Sequence, residues 1–207
     1  METKEKTIAD KVIEGFKEAV VEMEELRLQV GLGKLEAQDL YEESKKKFNT
    51  YVHEAKTKLT TFKDSVSNNT TTVLTAFETL QVQLALGKAE TKEAFEEQIK
   101  AINKGITELE AVILNNKTSN EIYTKLLMEI KKFKIKVEIL KLRYELKEVD
   151  TEEIFEKKKK EFLINLAEIK LKMLGKSNDQ KNKWEHFQDE INEAYGHLKN
   201  AFVNNTK

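Results

Sequence analysis

The stretch Leu80-Gln-Val-Gln-Leu-Ala-Leu-Gly-Lys-Ala-Glu-Thr-Lys-Glu-Ala-Phe-Glu-Glu-Gln-Ile-Lys100 reads as the end of one helix, a tight turn and the start of another. Versions of it recur along the chain. An earlier one runs from Leu26 through Leu32-Gly-Lys34 to Glu36 and on to Tyr41-Glu-Glu, and a later one runs from Leu140 to Asp150 and on to Phe155-Glu. A chain that repeats this device must lay helices side by side, because turns this short leave successive helices antiparallel. Gly33 is placed to take the left-handed conformation that ends a helix, and Gly87 to end the helix before the second turn. In each version the next helix has a candidate cap, Glu36, Glu90 or Asp150, with Asp39, Glu93 or Glu153 at its third position near the positive end of the helix dipole. The same register makes hydrophobic staples of Leu35 with Leu40, Ala89 with Ala94 and Val149 with Ile154.

Composition agrees with a chain made of helices. Proline is absent and only 7 glycines occur, while 35% of residues are charged and 39% hydrophobic, a mixture that sustains long helices and gives strands little to use. The regular spacing of the hydrophobic residues argues against a disordered chain. Apolar stripes then place seven helices in turn. The first carries Ile8, Val12, Phe16, Ala19, Met23, Leu26 and Val30, and the second Tyr41, Phe48, Val52, Ala55, Leu59, Phe62 and Val66. Val73, Phe77, Leu80 and Leu84 mark the third, and Phe95, Ile99, Ile102, Ile106, Leu109 and Ile113 the fourth.

The fifth helix has two stripes, Tyr123, Leu126, Ile130, Phe133, Val137, Leu140 and Tyr144, with Leu127, Ile135, Ile139, Leu142 and Leu146 beside them. A helix apolar over so wide an arc should be more buried than its neighbours. The sixth presents Phe155, Phe162, Leu166, Ile169 and Met173, and the seventh Trp184, Phe187, Ile191, Ala194, Leu198 and Ala201.

The expected fold is therefore all-α: an elongated up-and-down antiparallel helical bundle, or coiled-coil hairpins, of about seven helices. It forms a single helical-repeat domain over 1–207, with possible sub-units 1–67, 68–117 and 118–207. A rival remains at this stage. If the Asn-rich segments around 68–69 and 115–116 continue the helices, neighbouring helices fuse into spans of about 50 residues and the chain becomes a thin rod.

Chemistry is sparse. Zero cysteines exclude disulfides and zinc–thiolate sites. Gly175-Lys-Ser177 lacks both the upstream glycine and the preceding strand of a phosphate loop. His53, His186 and His197 fall on helices, and Glu193 with His197 is spaced four apart without the second pair that a di-iron bundle needs. No metal, cofactor or small-molecule substrate is expected, and the chain reads as a non-enzyme. Nucleic-acid binding has no support, since the net charge of −1 comes from interleaved charges of both signs. Without a signal-like or membrane-length apolar run, a soluble, cytoplasmic protein is expected. Asn-x-Thr sequons at Asn68, Asn69, Asn116 and Asn204 then serve as loop markers.

Two basic clusters stand out: Lys131, Lys132, Lys134 and Lys136, then Lys157, Lys158, Lys159 and Lys160. They are candidates for contact with anionic lipid headgroups, set against the reading of helix faces balanced by Glu129, Glu138, Glu156 and Glu161.

The Leu-x-Leu-Gly-Lys-x-Glu repeat, together with the closing Lys183-Trp-Glu-His-Phe-Gln-Asp-Glu-Ile-Asn and Leu198-Lys-Asn-Ala-Phe202, resembles small bacterial coiled-coil proteins with apolipoprotein-like or spectrin-like helical repeats. The resemblance implies a helical-repeat fold and carries over no functional residue. The function expected is a structural or protein-interaction role, through a protein partner or self-association. The alternative is peripheral binding to anionic lipid surfaces through the lysine-rich helices.

Overall fold

The computed structural model describes residues 7–30, 34–61, 70–115, 121–144, 152–175 and 180–203. Among these the chain is all-α, with seven helices: α1 (Ile8–Val30), α2 (Lys34–Thr61), α3 (Thr70–Leu84), α4 (Lys92–Asn115), α5 (Glu121–Tyr144), α6 (Glu152–Gly175) and α7 (Gln180–Phe202). It divides into two compact units, one of Met1–Ala37 with Glu138–Lys207 and one of Gln38–Val137. Both limits fall inside helices, α2 and α5, where no shift in composition marks them.

The Gln38–Val137 unit is built from α3, α4 and most of α2 and α5. Lys56 Nζ lies 2.8 Å from Glu78 Oε1 and Lys131 Nζ lies 2.7 Å from Glu110 Oε1. In an unbroken helix those partners would stand about 30 Å apart at 1.5 Å per residue. The fused rod is thereby excluded: the chain reverses between α2 and α3 and again between α4 and α5. The reversals themselves, with Asn68, Asn69 and Asn116, lie outside the described residues.

The predicted seams of α3 and α4 form the interior of this unit with Tyr41, Phe48, Val52 and Ala55 of α2, while Leu59 is half-buried and Phe62 and Val66 lie outside the described residues. Val73, Phe77, Leu80 and Leu84 of α3 and the whole α4 series from Phe95 to Ile113 are buried. Gly105 lets α3 and α4 come close, since a Cβ there would meet Leu80 Cδ1 at 3.3 Å and Leu80 Cα at 3.4 Å. Large rings join α2 to its neighbours: Tyr41 meets Phe95 edge to face at 4.8 Å, and Phe48 stacks on Phe133 at 4.3 Å. Between Tyr123 and Leu140, α5 exposes only Lys125, as its double stripe requires.

The turn between α3 and α4 differs in detail from the expectation. Helix α3 ends at Leu84, three residues before the Gly87 expected to end it. Side chains hold the turn instead. Gln38 Nε2 donates to the Ala89 carbonyl, Lys45 Nζ to the Leu86 carbonyl at 2.8 Å, and Gln98 Nε2 to the Gly87 carbonyl at 2.6 Å. The cap of α4 is Thr91 rather than Glu90. Its Oγ1 accepts from the Ala94 N–H at 3.1 Å and its carbonyl accepts from the Phe95 N–H at 3.0 Å. A threonine hydroxyl caps far better than a glutamate, so the register moves by one residue. Glu93 stays in the first turn, and the staple positions move from Ala89 and Ala94 to Glu90 and Phe95, which are not an apolar pair. Helix α2 is already under way at Lys34, so Glu36 lies inside it and is not its cap, contrary to expectation. Gly33, Val149 and Asp150, and the side chains of Leu35, Glu153 and Ile154, lie outside those described.

The other unit holds α1, α6, α7 and the last turns of α5. Helix α1 opens on a reciprocal cap: Thr7 Oγ1 accepts from the Asp10 N–H at 3.1 Å, and Asp10 Oδ2 accepts from the Thr7 N–H at 3.2 Å. That satisfies two backbone donors that lack helical partners. Helix α1 packs on both α6 and α7, and α6 packs on α7. Phe16 meets Phe162 edge to face at 6.5 Å. Val12, Ala19, Met23 and Leu26 from α1, Leu166 and Ile169 from α6, and Ile191, Ala194, Leu198 and Ala201 from α7 complete the core. The Trp184 and Phe187 side chains lie outside those described.

Candidate functional site

The first lysine cluster sits in the Gln38–Val137 unit. Lys131 and Lys132 are buried, at 8% and 7% exposure, because α5 has little surface to spare. Their charges are met inside the protein. Glu110 takes Lys131 at 2.7 Å and Lys134 at 3.3 Å, and Glu129 takes Lys132 at 2.7 Å. Lys134 and Lys136 are half-buried. This arrangement offers little positive charge to an outside surface.

The second cluster sits on α6 in the other unit. Lys159 is held by Glu24 and by Glu156 at 2.9 Å, and these hydrogen bonds, Glu24 first, raise its pKa above the usual lysine value. Lys158 is half-buried. Lys157 and Lys160 are exposed and pair with no carboxylate among the described residues. The two clusters are thus different objects, and only the second presents charge outward.

Beside Lys157 and Lys160 lies a feature missed by the sequence reading. Leu163, Ile164 and Leu171 of α6 are 37%, 53% and 70% exposed, and Ala167 between them is exposed too. Positions 164, 167 and 171 follow the three-then-four spacing of a coiled-coil seam. Phe162, Leu166 and Ile169 face the core. At about 100° per residue the two stripes lie on opposite sides of the helix. The signal was present in the sequence: α6 has apolar residues all round, which an ordinary surface helix does not.

The side chains of His53 and His197 are described, and each has polar neighbours. His53 Nδ1 stands 3.4 Å from Gln81 Nε2, while His197 lies 3.1 Å from Asn165 Nδ2 and 3.8 Å from Glu193 Oε1 on its own helix. The His186 side chain lies outside those described. Among the described residues no three His, Asp or Glu side chains gather in a way that could hold a metal. No helix among them is long and apolar enough to cross a membrane.

Lys45 and Tyr41 are the notable buried polar residues of the Gln38–Val137 unit. Lys45 is 3% exposed on its side chain, donates to Gln98 Oε1 at 3.2 Å and Glu42 Oε1 at 2.9 Å, and lies 5.3 Å from the centre of the Tyr41 ring. Its work is to hold the α3–α4 turn. The Tyr41 hydroxyl is buried and has no hydrogen-bond partner among the described residues. Burial, with the Glu42 charge behind it, pushes the Tyr41 pKa up from 10.0, and burial with Glu129 and Glu54 does the same for Tyr51.

The folded phenols keep their protons where the unfolded chain loses them. Stability is therefore unaffected by these groups below about pH 10 and falls as pH rises beyond it. Tyr41→Phe should raise stability at pH 7 by about 1–2 kcal/mol, since it removes a buried hydroxyl that is not hydrogen-bonded. It should also flatten the alkaline loss. Urea melts from pH 7 to 11 read both effects, and a destabilised variant would show that the hydroxyl is satisfied.

The chain matches no protein-family model, no curated protein and no solved structure.

Proposed function

We propose that the chain is a non-enzymatic helical-bundle protein whose role is protein–protein interaction. The observation that supports this most is the exposed apolar stripe of α6, directly opposite the face that α6 uses in its own core. Large apolar side chains on one outward helical face are how helices recognise other helices. Buried Gln38 and Lys45 hold the α3–α4 turn, and buried Lys131 pairs with Glu110.

The second reading, attachment to an anionic lipid surface, draws support from Lys157 and Lys160 at the end of the same stripe. It draws little from Lys131 and Lys132, which are buried and paired.

A photo-cross-linking residue at position 171, compared with one at the exposed polar position 47, tests the proposal in cells that express the chain. Protein adducts specific to position 171 and identified by mass spectrometry are expected. Lipid adducts alone, or the same adducts from both positions, would contradict it.

A further inference from the structure

Resting on that reading, we infer that the outer face of α6 docks an amphipathic helix of a different protein, one that is acidic toward one end of its seam and basic along one flank. The charges around the stripe carry this. Exposed Lys157 and Lys160 occupy the seam positions that precede Ile164, Ala167 and Leu171, and exposed Glu161 and Glu168 line one side of it. Neither carboxylate pairs with a lysine among the described residues.

A second copy fits this pattern poorly. In a parallel pair, Lys157 and Lys160 meet their own counterparts across the seam. In an antiparallel pair centred on Ile164 and Ala167, Glu161 falls beside Glu168 and Lys160 lands on Leu171. Both arrangements place like charges together or a charge on the apolar seam, which is how coiled coils reject a partner.

A membrane also fits poorly. The exposed glutamates beside the apolar residues would be repelled by an anionic surface. A foreign helix can answer each charge: apolar residues over Ile164, Ala167 and Leu171, carboxylates toward Lys157 and Lys160, and Lys or Arg along Glu161 and Glu168.

The test uses the full chain and two synthetic helical peptides of about three heptads with leucine seams. One carries the complementary charges and the other has every charge reversed, and each is made in both chain directions. Fluorescence anisotropy should show the complementary peptide binding at least about tenfold more tightly than the reversed one. Lys157→Glu with Lys160→Glu should narrow or invert that preference, and Ile164→Gln with Leu171→Gln should abolish binding while leaving the circular dichroism melt unchanged.

Equal binding of the two peptides, binding of neither, or undiminished binding by the Ile164→Gln, Leu171→Gln chain would overturn the inference. Sedimentation equilibrium and phosphatidylserine vesicles separate the other occupants. Dimerisation that Leu171→Gln removes would overturn the foreign partner and leave the interaction role standing. Vesicle binding that needs Lys157 and Lys160, without peptide preference, would overturn both.

Discussion

Leu166→Ala should lower the unfolding free energy by about 2–5 kcal/mol, and Leu171→Ala, five residues further along the same helix, by less than about 0.5 kcal/mol. The substitution is the same and so is the helix. What differs is the surroundings: Leu166 is 1% exposed in the core that α1, α6 and α7 share, and Leu171 is 70% exposed. Removing Leu166 leaves a cavity that the neighbouring side chains fill only in part. Removing Leu171 takes away surface that was in water already, and alanine is if anything the better helix former. Urea denaturation with a two-state fit checks both. Equal losses at the two positions would mean that the outer stripe is packed as the inner one is.

Phe48→Ala should lower stability by about 3–5 kcal/mol. Phe48 is buried against Phe133 with ring centres 4.3 Å apart and planes nearly parallel, and rings rather than close backbones tie α2 to its neighbours. Truncation therefore removes area and a ring pair that no small shift can replace. A cycle with Phe133→Ala should give a coupling of about 0.5–1.5 kcal/mol. Additive losses would show that the stack contributes only its buried area.

Much of the fold was legible because burial in a helical bundle writes itself at helical spacing. Every residue of the α4 seam, Phe95 to Ile113, is buried as its pattern requires, and among the described side chains α5 is more buried than its neighbours, as its wide arc requires. Turn chemistry was less legible. The recurrence of Gly87 with Glu90 suggested a glycine and glutamate device, yet the ring of donors around the turn comes from Gln38, Lys45 and Gln98, two of them more than 40 residues away in the chain. Nothing local to the turn encodes that. Thr91, by contrast, was legible as a cap on chemistry alone.

The candidate surface was obscured by its own composition. The lysines at 131 and 132 and those at 157 and 160 look alike in one dimension. Their difference lies in what packs against them: Glu110 answers Lys131 from another helix, and no carboxylate among the described residues answers Lys160. Ile164 and Leu171 share the outer side of α6 with exposed Glu161 and Glu168, charges that give that side the composition of a solvated face.

The central claim, that α6 turns a second apolar face outward, is open to a direct measurement because the chain has no cysteine. A single thiol placed by Leu171→Cys or by Leu166→Cys can be followed as it reacts with a maleimide under native conditions and in urea. The account predicts that the thiol at 171 reacts nearly as fast in the native protein as in urea. The thiol at 166 should react at least about tenfold more slowly in the native state, since it becomes reachable only when the helix opens. Strong protection at 171, or equal native rates at the two positions, would contradict it.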